Sequence, residues 1–175
     1  EFQNKKGVTR AEEWQATIFG QTNSLQHYYD DISFGKFAIQ PAQETSGVIN
    51  DGIVDWIELD YNHPNTGGSL TSDNLRMVND AVYKADAFVD FSAYDRNRDG
   101  YLSRDELHLM VIVAGYEGAY GGVDTCSPSV WAHNYYLDYL YVDAPTVDGV
   151  KVASYDGGGG YSQFGEIHWE LENFP

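Results

Sequence analysis

Basic residues are scarce in this chain. Ten Lys and Arg stand against 27 Asp and Glu, a formal net charge of -17 over 175 residues. Binding nucleic acid requires clustered Lys and Arg to neutralise phosphates, so nucleic acid is not an expected partner. An anionic membrane surface is disfavoured for the same reason. Cysteine is nearly missing: Cys126 stands alone, which excludes a disulfide framework within the chain. It lies in Asp124-Thr125-Cys126-Ser127-Pro128, an acidic setting that disfavours the thiolate, and reads as a spare or buried thiol. Low thiol content suits a secreted protein. No apolar run reaches the length of a membrane span. No signal peptide is read at the start, and Glu1-Phe2 is treated as a processing end or cloning scar. No nucleophile elbow is present. The glycines at 157–160 are not followed by the Lys-Ser/Thr pair of a phosphate loop.

What the chain has instead is a dense oxygen-bearing motif. Residues 95–106 read Asp-Arg-Asn-Arg-Asp-Gly-Tyr-Leu-Ser-Arg-Asp-Glu and fit the pattern D-x-[DN]-x-[DN]-G-x5-E at every defined position. Calcium is a hard cation that takes six to eight oxygen ligands. Asp95, Asn97 and Asp99 alternate, so short oxygen-bearing side chains can converge on one centre. Gly100 stands where the backbone must turn sharply. Tyr101 offers its carbonyl, Ser103 acts directly or through a water, and Glu106 closes the shell with two oxygens. Leu102 is the apolar anchor. A metal-free Asp/Asn/Gly turn is the alternative, but such a turn has no use for a Glu at the twelfth position.

The rest of the chain reads as alternating helices and strands of one domain spanning 1–175. A helix is expected over 8–19, capped by Thr9 and anchored by Trp14, Ile18 and Phe19. A second covers 24–32, with Leu25, Tyr28, Tyr29 and Ile32 at helical spacing. Strands are expected over 33–39 and 53–59 around an Asp51-Gly52 turn, then a loop over 61–69. The clearest helix is capped by Thr71 or Ser72, repeats Leu75, Val78, Val82, Ala85 and Val89 on one face, and runs straight into the 95–106 loop. Residues 107–114 read as a buried strand stopped by Gly115. The loop therefore joins a helix to a strand, which favours a structural ion over a sensor. Further strands are expected over 130–136, in a 147–155 hairpin around Asp148-Gly149, and over 161–169, with a flexible loop at 157–160. The aromatics Trp56, Trp131, Tyr135, Tyr136, Tyr139 and Tyr141 form either a binding platform or core and strand pairs.

Several segments in this order resemble one family. They include Thr17-Ile18-Phe19-Gly20, Ser24-Leu25-Gln26-His27-Tyr28-Tyr29, Ser33-Phe34-Gly35-Lys36-Phe37, Asn50-Asp51-Gly52 and Val89-Asp90-Phe91-Ser92-Ala93-Tyr94-Asp95. Val111-Ile112-Val113-Ala114-Gly115-Tyr116-Glu117, Trp131-Ala132-His133, Asp148-Gly149-Val150 and Gly165-Glu166-Ile167-His168 complete the set. Together they resemble the amino-terminal part of the catalytic domain of immune inhibitor A-type secreted zinc metalloproteases, from Thr17 to Glu170. The resemblance implies a mixed α/β fold: a twisted central sheet packed by helices, as in the amino-terminal lobe of a zincin, with the EF-hand-like loop between a long helix and a strand. The family's zinc site rests on H-E-x-x-H. His27, His63, His108, His133 and His168 form no such pattern. In the family that helix follows the segment matched by 165–168, so zinc belongs to the fuller family domain.

Glu166, His168 and Glu170 alternate and would share one face of a strand, a second metal-site candidate whose alternative is a polar strand edge. His133 beside Trp131 reads as a packed or hydrogen-bonded His. The expectation is a secreted, calcium-binding, metalloprotease-like domain, not catalytic by itself. Its partners would be calcium and a peptide, a protein or the carboxy-terminal lobe. The alternative is a complete secreted calcium-dependent binding or inhibitory protein on a protease-derived scaffold.

Overall fold

The computed structural model describes residues 1–121 and 126–168. Three helices come first: α1 (Ala11–Phe19), α2 (Leu25–Ser33) and α3 (Ser72–Ala85). A 3-10 turn, Phe91–Tyr94, precedes the acidic loop. Then follow β1 (Leu109–Glu117), the short α4 (Gly118–Gly121), β2 (Ser129–Val130), β3 (His133–Tyr135), β4 (Thr146–Val147), β5 (Val150–Lys151) and β6 (Tyr161–Ile167). The fold is mixed α/β. One curled sheet runs β2-β1-β6-β3, with β1 parallel to both β2 and β6, and β3 antiparallel to β6. The pair β4-β5 forms a separate hairpin. Among the described residues no helix is long and apolar enough to cross a membrane.

The apolar periodicity of α3 is the main organiser. Leu75, Val78 and Val82 are buried in one cluster with Phe91, Leu102, Leu137, Val147, Val150, Val152 and Tyr161. A second cluster holds Phe2, Leu59, Met77, Val113 and Val130. Thr71 is the N-cap, and its amide donates to Asn74 Oδ1 at 2.9 Å. Asn74 is itself buried, and its amide donates to Thr66 Oγ1 at 2.8 Å, so the helix start is tied to the 61–69 loop. The helix ends at Ala85 and does not run into the acidic loop as expected. Val89 nevertheless reaches the core from the turn that follows.

Other expectations are corrected. Thr9 does not cap α1: its amide and that of Val8 donate to Glu166 Oε1 at 2.5 and 2.7 Å, and the helix opens only after Arg10. No strand forms over 33–39. Phe34 ends α2 at φ 56°, and Ser33 Oγ accepts the amides of Lys36 and Phe37, so local side-chain bonds use groups that a ladder would need. Residues 53–59 join no sheet; only Leu59 bridges, to Phe2. The strand read at 107–114 lies two residues later and continues through Gly115, where the β1/β6 register shifts between Val113 and Tyr116. The expected 130–136 strand is two short strands on opposite edges of the sheet, β2 beside β1 and β3 beside β6. The hairpin turn is as read: Asp148 (φ 50°) and Gly149 (φ 83°) both take the left-handed conformation of a two-residue hairpin loop. Cys126 is exposed, not buried.

Candidate metal centre

The acidic loop is built on its own backbone. Asp95 Oδ1 accepts the amide of Asp99 at 3.2 Å and Oδ2 that of Gly100 at 3.0 Å. Asn97 Oδ1 accepts the same Asp99 amide at 3.0 Å, and Asn97 Nδ2 donates to Asp99 Oδ2 at 2.9 Å. Asp99 Oδ1 accepts the amide of Tyr101 at 2.9 Å. Gly100 takes φ 80°, and a Cβ there would meet nothing within 4 Å. Backbone conformation alone is therefore the reason for glycine at this position.

Glu106 closes the loop. Its Oε1 accepts the amides of Arg96 at 3.0 Å and Asn97 at 3.4 Å; its Oε2 accepts the Ser103 amide at 3.1 Å and hydroxyl at 2.8 Å. The Ser103 bonds, backbone first, lower the Glu106 carboxyl pKa; partial dehydration opposes them, and the Asn97 and Arg96 amides add to the lowering. Glu106 is thus held anionic at neutral pH. Arg96 Nη2 donates to the Asp105 carbonyl at 2.6 Å.

The oxygen inventory matches what a hard cation takes. Asp95, Asn97, Asp99 and Glu106 border one turn of backbone. The Tyr101 carbonyl accepts no hydrogen bond among the described residues. Ser103 Oγ sits 2.8 Å from the Glu106 carboxylate. Among the described residues, no three His, Cys, Asp or Glu side chains come together as a metal-binding group. The loop's carboxylates are turned onto amides. Each carboxylate oxygen of Asp95 and Asp99 accepts one donor and keeps a second lone pair for an ion, whereas each Glu106 oxygen already accepts two, so ligation by Glu106 requires it to give up amide or hydroxyl bonds.

Behind the loop lies a support that the sequence did not reveal. Leu102, 1% exposed, enters the main cluster. Its amide donates to the Lys151 carbonyl at 3.0 Å, and the Lys151 amide to the Gly100 carbonyl at 2.8 Å, so the loop is held to β5 by a single parallel bridge at Tyr101. The glycines at 157–160 pack in part against the acidic loop. Gly159 is buried, and a Cβ there would stand 2.6 Å from the Leu102 carbonyl. The Arg104 amide donates to the Gly158 carbonyl at 3.3 Å. On the entry side, Asp148 Oδ2 accepts the Phe91 amide at 2.9 Å. Asp86 also faces Asp148, and its carboxyl pKa is raised by dehydration first and then by the neighbouring carboxylate. Asp148 is 57 positions from Phe91, and no local pattern signals such a contact.

Of the second candidate set, Glu166 and His168 lie among the described residues. Glu166 Oε1 is committed to the Val8 and Thr9 amides, and its Oε2 is buried without a hydrogen-bond partner. His168 lies one residue past the end of β6, so it is not on the strand as expected. Glu170 lies outside the described residues. His133 is hydrogen-bonded rather than exposed: one ring nitrogen is 2.7 Å from the Trp131 carbonyl and the other 2.8 Å from Tyr161 Oη. A carbonyl can only accept, so Nδ1 carries the proton and Nε2 receives the tyrosine hydroxyl.

Glu117 is a buried organiser that sequence reasoning missed. Its carboxylate accepts the amides of Ala119, Ala132 and Gly165 at 2.7–2.9 Å, joining the ends of β1 and β6 to the segment before β3. Of the expected aromatic platform, Tyr135, Tyr136 and Tyr139 come together and recruit Tyr155. Trp56 instead donates to the Thr9 carbonyl, and Trp131 stacks on His133. No protein-family model matches the chain, and no curated protein matches it.

Proposed function

We propose that the chain is a calcium-binding domain in which the ion has a structural role. The observation that carries the reading is the 95–106 loop: hard oxygen donors at Asp95, Asn97, Asp99, Tyr101, Ser103 and Glu106, arranged around a turn that places glycine at its left-handed position. Calcium there would neutralise carboxylates in a chain of net charge -17. It would also tie the Phe91–Tyr94 turn to β1 through a loop already laid against β5. The ion stabilises the fold in proportion to its occupancy. The affinity is that of an extracellular module, on the order of a tenth to one millimolar.

The wider reading is a secreted metalloprotease-like domain of the zincin kind without its own zinc motif. What supports it is the ordered set of segments given above, which run along α1, α2, β1, the β4-β5 turn and β6. Peptide cleavage is not assigned to this chain, because its five histidines include no H-E-x-x-H pair. Zinc belongs to the fuller family domain, and the carboxy-terminal lobe, a peptide or a protein would be the partner.

Isothermal titration of the calcium-stripped chain with calcium chloride tests the central reading. One ion per chain is expected. Glu106→Gln, which keeps the shape but removes the anionic bidentate ligand, is expected to weaken binding by at least about tenfold, the equivalent of 1.4 kcal/mol. Equal affinity in the variant would remove Glu106 from the ligand set and with it the reading of the loop.

A further inference from the structure

Residues 53–59, Ile-Val-Asp-Trp-Ile-Glu-Leu, are rich in strand-forming side chains, yet no sheet among the described residues includes them. One edge of this stretch is nevertheless occupied. The amino-terminal nitrogen of Glu1 donates to the Ile57 carbonyl at 2.6 Å, the Leu59 amide to the Glu1 carbonyl at 2.8 Å, and the Gln3 amide to the Tyr61 carbonyl at 3.1 Å. Phe2 and Leu59 form a parallel bridge. Residues 57, 59 and 61 thus turn their backbone groups toward the amino-terminal segment. In an extended chain the groups of 56 and 58 point the opposite way. Among the described residues, the amides and carbonyls of Trp56 and Glu58 make no hydrogen bond.

A groove of about 500 Å³ borders the same stretch. It is lined by Asp55, Trp56 and Ile57, by Tyr83 and Lys84 of α3, and by Phe88 in the turn that follows. Tyr83 and Phe88 are among the exposed large apolar side chains. The rim charges do not cancel. Lys84 is held by Asp60 at 3.0 Å and Lys6 by Glu58, and among the described residues the Asp55 carboxylate has no ion pair. That acidic rim lies on a chain of net charge -17.

We propose that residues 54–58 are an open strand edge that accepts an extended peptide bearing basic side chains, which adds as a strand beside the α3 groove. Main-chain bonds to residues 56 and 58 hold the peptide, as strand addition to a free edge requires. Alternate apolar side chains rest on Trp56, Tyr83 and Phe88, and a Lys or Arg meets Asp55. The chain already uses this device on its own behalf, with residues 1–3 on the other edge.

The probe is a fluorescein-labelled peptide of four Lys-Val repeats, titrated with the full chain and followed by fluorescence anisotropy. Saturable binding is expected. The same peptide N-methylated throughout keeps its charge but cannot donate from its backbone, and it should bind at least about tenfold more weakly, a loss the size of one or two hydrogen bonds. Glu58→Pro removes one open-edge amide and should weaken the unmodified peptide to a similar degree, whereas Glu58→Ala should leave affinity within about threefold. Absence of saturable binding overturns the proposal. Equal binding of the N-methylated peptide overturns it too, since charge attraction alone would then account for the complex. The methylated probe is read on the native chain, so it decides the matter even where Glu58→Pro does not fold.

Discussion

His63 is a built-in pH sensitivity of the fold. Its Nδ1 accepts the Asn65 amide at 2.9 Å, so in the neutral ring the proton sits on Nε2. The ring is 7% exposed, lies 4.5 Å from the Phe2 ring, and its Nε2 has no hydrogen-bond partner. Burial first, then the charges of Lys5 and the amino terminus, lower its pKa to about 4 from an ordinary value of 6.5. Below pH 6.5 the unfolded chain binds a proton that the folded chain refuses, so stability falls as pH drops from about 6.5 to about 4 and is fully present above that window. The gap of about 2.5 units corresponds to roughly 3 kcal/mol, an upper figure because burial is not complete. His63→Asn places an amide oxygen near the Nδ1 position and does not titrate. Urea unfolding of both proteins at pH 7, 5.5 and 4 isolates the effect, since every other titrating group is common to the pair. The stability advantage of wild type over the variant should shrink by about 2–3 kcal/mol between pH 7 and pH 4. A constant difference across that range would refute the assignment of a depressed His63.

Three further outcomes follow from the loop and its support. Leu102→Ala leaves a cavity in the main cluster and should cost about 2–5 kcal/mol in urea unfolding, with or without calcium. Asp86→Asn should raise the melting temperature at pH 7 and have little effect near pH 3, because an amide can donate to Asp148 where a second carboxylate repels it; equal effects at both pH values would contradict the pairing. Calcium at ten times its dissociation constant should stabilise the wild-type chain by about 1.4 kcal/mol, a rise of several degrees in melting temperature that magnesium at equal concentration does not reproduce.

Local pattern carried much of the fold. The face of α3, the hairpin turn at Asp148-Gly149 and the β1 and β6 strands were legible because each is written in consecutive or periodic residues. Several failures trace to groups distant in sequence, whereas at 33–39 local bonds to Ser33 Oγ prevailed. Thr9 reads as a cap until Glu166 claims its amide from 157 positions away. Residues 53–59 read as a strand candidate, but an apolar, β-branched composition does not supply a sheet neighbour. The glycine run at 157–160 reads as flexible because composition cannot show that Leu102 and Arg104 press against it. In the acidic loop the ligand spacing was legible, whereas the β5 contact that lays it against the hairpin was not. Glu166 and His168 looked alike by spacing, but burial of one and the end of β6 before the other separated them.

The central claim is that an ion is held by residues 95–106. The most direct measurement is an amide-resolved NMR titration of the calcium-stripped, isotopically labelled chain with calcium chloride. The account predicts shifts concentrated at residues 95–106, the Gly100 amide foremost because Asp95 accepts it, with smaller shifts at Lys151 and Gly158, which bond the loop from behind. A spectrum unchanged by millimolar calcium, or shifts centred elsewhere in the chain, would contradict it.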